Sequence, residues 1–309
     1  MKKILHLIEY FFLVSSGFLL RRLSLRRATA TGAFLGLVLY TFDKSHRKTA
    51  YDNLRASFPE KTDEELEDII KRLYENMGRS FTEFLYLPKL PLEKLKKVVR
   101  VKGEEYLLSA LKKEKGAVII VAHFGNWEFM GARYVEFGSS TVIAFPQSNR
   151  LTDKVITKYR TNAGMKIIFT GNAVKEIFRA IKNKGMVGFL ADQDAHREGV
   201  FVDFFGRPAS TSRGPAVFAL KTKAPIIMSF IVREKDNTHT VHFEPELPLV
   251  DTGDFEADVK KNTENWSVVL EKYVREYPDH WFWVHRRWKT SPDENRTDDT
   301  PSIKTGGQG

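Results

Sequence analysis

From residue 101 onward the chain repeats one texture, a short β-branched or aliphatic run followed by a stretch with helical periodicity. The runs fall at 117–121, 141–145, 166–169, 186–190, 225–232 and 240–243. Runs this short and this apolar have no wet face, so a sheet made from them must be covered on both sides. The intervening helical segments supply the cover. One lies at 173–184, opened by Asn172 and closed by Gly185, and a last one runs from Phe255 to Glu276 before Pro278. The expected fold class is therefore α/β, a mixed and largely parallel central sheet flanked by helices. Upstream, residues 45–87 read as helical. Thr62 and Glu65 form a capping box ahead of Leu66, Ile69, Ile70 and Leu73, and Pro88 and Pro91 break the pattern.

The absence of cysteine from all 309 residues removes disulfide scaffolds, thiolate metal sites and a thiol nucleophile. A net charge of +10 favours anionic partners without choosing among nucleic acid, anionic lipid and acidic protein.

The first segment, residues 4–20, is mostly apolar but carries His6, Glu9, Ser15 and Ser16; Lys2 and Lys3 precede it, and Arg21, Arg22, Arg26 and Arg27 follow. A spanning helix takes about 20 apolar residues, and Glu9 would be costly at mid-bilayer. Arginines directly after the run are wrong for a cleavage region. An uncleaved anchor or interfacial helix fits better, its arginines held at an anionic cytoplasmic leaflet. An amphipathic helix packed on the protein's own core is the alternative, set against the continuous block Phe11, Phe12, Leu13 and Val14. The expected organisation is anchor helices at 1–42, a helical segment at 43–100, an α/β domain at 101–290 and a disordered polar tail at 291–309.

The run at 117–121 ends in Ala122-His123-Phe124-Gly125-Asn126-Trp127-Glu128. A strand followed at once by a helix sets His123 at the carboxyl edge of the sheet, where α/β proteins bind ligands. Gly125 permits a tight turn and Asn126 can cap the helix. Glu128 would then reach back to the imidazole only through that turn, because residues five apart on a regular helix do not share a face. A carboxylate that fixes the imidazole tautomer lets it take a hydroxyl proton, with helix-start amides available for an oxyanion. A structural histidine beside a surface glutamate has the same spacing.

His-Phe-Gly-Asn-Trp-Glu resembles the H-x4-D/E motif of glycerolipid-type acyltransferases, in the form found in the bacterial lipid A biosynthesis acyltransferase family. Other segments follow in the same order: the N-terminal apolar helix, Asn53-Leu54-Arg55 to Phe58-Pro59-Glu60, Asp192-Gln193-Asp194, Phe204-Phe205-Gly206-Arg207-Pro208-Ala209, and Trp281 to Lys289. The resemblance implies a glycerolipid-acyltransferase-like sheet and an O-acyl transfer from acyl carrier protein to a hydroxyl of a lipid A precursor. His123 would be the general base and Glu128 its support, with no metal and no cofactor. It also implies an enzyme of the inner membrane with its catalytic face on the cytoplasmic side.

Asn126, Arg160, Asp192, Gln193, Asp194 and Arg213 are assigned to substrate binding. Arg160 would bind a head-group phosphate or steady the thioester carbonyl, or is simply a solvated helix arginine. Asp192 and Asp194 follow a strand at the His123 edge, as recognition groups, as a second carboxylate near His123, or as turn aspartates. Arg213 starts a helix, where phosphate is attracted, though any exposed arginine reads alike. The arginines among tryptophans at 281–289 are read as a strand with core Trp in preference to a nucleic-acid surface. There is no G-x-S-x-G elbow, P-loop or G-x-G-x-x-G. The alternatives are another acceptor, such as a phosphatidylinositol mannoside or a lysophospholipid, or a non-catalytic membrane-associated lipid-binding protein.

Overall fold

The structure is a computed structural model that describes residues 2–170 and 173–292. Its helices are α1 (Lys2–Leu20), α2 (Leu25–Phe42), α3 (Lys44–Ser57), α4 (Asp63–Tyr86), α5 (Leu92–Val98), α6 (Glu104–Leu111), α7 (Trp127–Tyr134), α8 (Arg150–Asn162), α9 (Ala173–Lys182), α10 (Gly214–Thr222) and α11 (Phe255–Glu276). Its strands are β1 (Val99–Lys102), β2 (Ala117–Val121), β3 (Ser140–Ala144), β4 (Lys166–Phe169), β5 (Met186–Leu190), β6 (Val200–Phe204), β7 (Arg207–Thr211), β8 (Ile226–Arg233) and β9 (His239–Phe243).

Seven strands form one sheet in the order β1-β9-β8-β2-β5-β3-β4, and β6 and β7 form a separate hairpin. Every pairing in the large sheet is parallel except β8 with β9. This is the mixed, mostly parallel sheet flanked by helices expected from the apolar runs. β2 sits at its centre with all five residues buried, as a strand without polar alternation must. The boundaries of β3, β8 and β9 move by one residue from the sequence reading. Three strands had no such run to announce them. β1 is short and basic, and β6 and β7 carry their aromatic and small residues in a hairpin. The segment 281–289 is not a strand. Trp281 makes a single bridge to Phe124, and the chain then turns through backbone bonds from Trp283 to Arg287. Its tryptophans nonetheless fill the core, with Trp281 and Trp283 buried. The Asn172 cap, and all but the first two residues of the 291–309 tail, lie outside the described residues.

The capping box of α4 forms as the sequence predicts, and Leu66, Ile69, Ile70 and Leu73 are buried in the same core as β2 and β8. α2 lies almost in contact with α4 because its side at the crossing is glycine. A Cβ on Gly36 would stand 2.1 Å from the Tyr74 carbonyl oxygen, and one on Gly32 2.4 Å from that of Gly78. α1 is the one helix among the described residues long and apolar enough to cross a membrane. It does not stand apart. Leu13, Gly17 and Leu20 are buried, and Asn149 at the start of α8 donates both to the His6 carbonyl and to Glu9, at 2.8 Å each. The acid that argued against a spanning helix thus has a partner. Phe11, Phe12, Phe18 and Leu19 remain exposed on α1, and Phe34, Leu35 and Phe42 on α2.

Candidate active site

β2 and β5 run parallel with Val121 beside Leu190. Carrying that register two residues past each strand brings His123 next to Asp192. The chain does so: the His123 amide donates to one Asp192 oxygen at 3.1 Å, and His123 Nδ1 stands 2.9 Å from the other. Trp281 Nε1 donates to the first oxygen at 2.9 Å. Asp192 is 1 % exposed. Burial would raise its pKa, but the His123 imidazole, the Trp281 donor and the His123 amide outweigh it and hold it below the usual aspartate value. An ionised carboxylate only accepts, so Nδ1 carries the hydrogen, which in the neutral ring leaves the lone pair on Nε2. The ring lies edge-on to Trp127 at 5.2 Å and 6.1 Å from Phe282, with a fifth of the side chain open to solvent.

The turn that holds His123 is dictated by Gly125. Its φ is +56°, and a Cβ there would stand 2.1 Å from the Ile231 carbonyl oxygen, so no other residue fits. The Gly125 amide donates to the His280 carbonyl at 2.9 Å, and Phe282 donates to that of His123 at 3.1 Å. The 281–289 segment therefore clamps the turn from behind.

Asn126 caps α7 as expected, its Oδ1 accepting from the Phe129 amide at 3.0 Å. Its Nδ2 donates to Glu83 at 2.7 Å, and the residue is buried, so both polar ends are engaged by the scaffold.

Glu128 lies in the first turn of α7, but it does not brace His123. Arg160 Nε and Nη2 donate to its two oxygens at 3.0 and 2.5 Å. Burial lowers the Arg160 pKa, but the bidentate carboxylate more than offsets this, and the guanidinium is held above its ordinary value. The expected His–Glu pair is replaced by two pairs, His123 with Asp192 and Glu128 with Arg160. The structure differs from the sequence reading because the register of β2 and β5 delivers Asp192 to the imidazole while α8 offers Glu128 a cation.

The other assigned residues scatter. Asp194 is buried, accepts from Thr290 at 2.9 Å and lies 3.0 Å from His196 Nδ1. Gln193 lies between the two aspartates and is half-buried. Arg213 is the N-cap residue of α10 and pairs with Glu256 of α11 at 2.7 Å, on an exposed surface.

One group escaped the sequence reading, and a second, read as the charged edge of a strand, is buried. Glu83 of α4, 2 % exposed, receives Arg233 at 2.7 and 2.8 Å, Asn126 at 2.7 Å and Thr29 of α2 at 3.2 Å, and lies 3.4 Å from His239 Nε2. Its one signal was an acid inside the apolar stretch Phe81 to Leu87. Arg287 is fully buried, donates to the Ser210 carbonyl and the Thr211 hydroxyl, and burial pulls it down to about 10 despite Asp192 and Asp194 nearby.

The family described as bacterial lipid A biosynthesis acyltransferase matches residues 1–290. The chain is similar to the lipid A biosynthesis palmitoleoyltransferase of Escherichia coli (strain K12), with 26% identity over 265 residues and 84% of each chain covered. It is similar to that organism's lipid A biosynthesis lauroyltransferase at 26% identity over 270 residues, covering 85% of each. It also resembles the phosphatidylinositol mannoside acyltransferase of Mycolicibacterium smegmatis (strain ATCC 700084 / mc(2)155), at 25% identity, covering 74% of this chain and 75% of that one.

Proposed function

The chain belongs to the bacterial lipid A biosynthesis acyltransferase family, and we propose that it moves a fatty acyl chain from the thioester of acyl carrier protein to a hydroxyl of a lipid A precursor. The observation that carries the chemistry is the 2.9 Å contact between His123 Nδ1 and the buried Asp192 carboxylate. That contact leaves Nε2 as the base. Nε2 takes the proton of the acceptor hydroxyl as its oxygen adds to the thioester carbonyl. The tetrahedral oxyanion then collapses, the C–S bond breaks, and the leaving thiolate recovers the proton from the imidazolium. Asp192 stays ionised and offsets the positive charge on the ring during both transfers. Neither a covalent enzyme intermediate nor a metal or cofactor enters the scheme. Glu128 fixes Arg160, whose Nη1 is left to approach an anionic oxygen of the substrate.

The donor assignment is supported by the +10 net charge, which attracts an acidic protein in a salt-sensitive way. Acyl-CoA turning over equally well, with no dependence on salt, would contradict it. The acceptor is tested by incubating the purified enzyme with acyl carrier protein charged with mixed chains, offering a lipid A precursor, a phosphatidylinositol mannoside and a lysophospholipid, and identifying the acylated lipid by mass spectrometry. Mass gain on the lipid A precursor is the expected result. Gain confined to another acceptor moves the enzyme to that substrate.

The exposed apolar side chains of α1 and α2, next to Arg21, Arg22, Arg26 and Arg27, support attachment to the cytoplasmic face of the inner membrane. Removing residues 1–27 should shift most of the protein from the membrane pellet to the supernatant, with the remainder held by Phe34, Leu35 and Phe42. Sedimentation unchanged by the deletion would exclude α1 as the anchor.

A further inference from the structure

Between α3 and the 281–289 segment lies an open cleft of about 810 Å³. Lys44 and Lys48 line it from α3, Arg207 from β7, and Arg286 and Lys289 from the C-terminal side. Asp52 is the only carboxylate in the lining, and it is held by Lys48 at 2.7 Å. Lys44, Arg286 and Lys289 are exposed, and among the described residues none of the three has a side-chain partner. Arg207 is set in place. Its guanidinium lies 3.6 Å from the centre of the Trp288 ring, Nη2 donates to Ser57 at 3.2 Å, and Nε is buried without a partner. Like charges collected round one concavity repel each other, so the arrangement is unfavourable until an anion enters.

Two observations indicate which anion. The cleft begins where the apolar face of α2 ends: Phe42 is 78 % exposed, and Lys44 follows two residues later. With the apolar face of α2 in a bilayer, as proposed above, cations placed there would stand near the level of lipid head-group phosphates. The cleft is also tied to the catalytic turn. Asn53 in its wall donates to the Trp283 and His285 carbonyls at 2.9 Å each, and His285 feels the charges of Asp192 and His123.

We propose that the cleft between α3 and the 281–289 segment binds a phosphate group on the head of the lipid substrate and so holds that lipid beside His123. The proposal rests on the lipid-acceptor reading above, and its test works without catalysis. The full chain carrying His123→Ala is titrated with phosphatidylcholine vesicles, with vesicles containing phosphatidic acid, and with vesicles brought to the same surface charge with oleate. The same titrations are run with Lys44→Ala, Arg286→Ala and Lys289→Ala added together, all surface changes that leave the core intact.

The expected result is tighter binding to phosphatidic acid than to oleate vesicles. The triple variant should lose that preference, with a fall in affinity of roughly ten- to a hundredfold, while binding to phosphatidylcholine through α1 and α2 persists. Equal binding to both anionic vesicles, or a preference that survives the triple variant, overturns the proposal. So does a variant that keeps the vesicle preference but loses affinity for acyl carrier protein, which would make the cleft a protein-docking face. If the vesicle result holds while no acceptor is ever acylated, the cleft stands and the catalytic reading fails.

Discussion

Asp192→Asn and His123→Ala should each lower acyl transfer by about 10³-fold, within the 10²–10⁴ range expected when a positioned base or its tautomer anchor is lost. The two variants should not be additive, because both abolish the same proton transfer. The reason lies in the pairing seen at the sheet edge. An asparagine in place of Asp192 would keep the size of the side chain but present an amide to Nδ1. The ring could then hold its hydrogen on Nε2, where the acceptor's proton has to go, and the imidazolium formed during transfer would lose its counter-charge. Glu128→Gln tests the alternative brace. It weakens a bidentate contact to Arg160 but leaves the His123–Asp192 pair untouched. Its expected cost is smaller and falls on substrate affinity, read as a KM change with kcat nearly preserved. Single-turnover rates with saturating donor separate the two. If Glu128→Gln removes the chemical step while Asp192→Asn does not, Glu128 is the partner of the base, as the sequence alone suggested. All three proteins should retain the wild-type circular dichroism, since Gly125, Asn126 and the backbone clamp at His280 and Phe282 stay in place.

The sequence carried the strand-turn-helix at 117–128 because three local signals agree there: an apolar strand, a glycine that only a positive φ explains, and an asparagine at the cap. It carried α4 for the same kind of reason, a cap followed by clean periodicity, and α11 by its length before Pro278. The partner of His123 was harder to read, since it depends on the register between β2 and β5, strands separated by β3 and β4 in the chain but adjacent in the sheet. The Asp192 side chain was in view as a second carboxylate; nothing local ranked it above Glu128. The 281–289 segment misled for the opposite reason. Trp281 and Trp283 alternate as in a strand, yet they pack edge-to-face on each other at 4.6 Å in the core, in a segment held by Asn53 and by backbone turns. Spacing reports which residue types recur, and long-range pairing decides what they touch.

Glu83→Ala should destabilise the fold by about 3–5 kcal/mol, the usual cost of leaving one member of a buried ion pair alone. The Arg233 side chain is 6 % exposed and commits two nitrogens to Glu83, so without the carboxylate its charge has no other ion-pair partner among the described residues. The double change Glu83→Ala with Arg233→Met should recover most of that loss, because both charges are then gone and the methionine fills the arginine's channel. A residual cost of about 1 kcal/mol is expected from the amide of Asn126 and the hydroxyl of Thr29, which lose their acceptor. Denaturant melts of the three proteins measure this directly. Acid adds a second signature. Burial alone would raise the Glu83 pKa, but Arg233 and then His239 hold it well below the ordinary 4.5, so its contribution is complete above that pH and is lost as pH falls below it. His239 acts in the same direction. Burial keeps its pKa under the ordinary 6.5 despite Glu83, so its contribution is complete above 6.5 and is lost as pH falls through the depressed value. Wild-type stability should therefore decline on acidification in two stages, and the double variant should lack the lower one. A double variant as unstable as Glu83→Ala alone would mean that the carboxylate is needed for its bonds to Asn126 and Thr29 more than for its charge. The cluster would then serve chiefly to fix the α7 cap against α2 and α4, with the ion pair secondary.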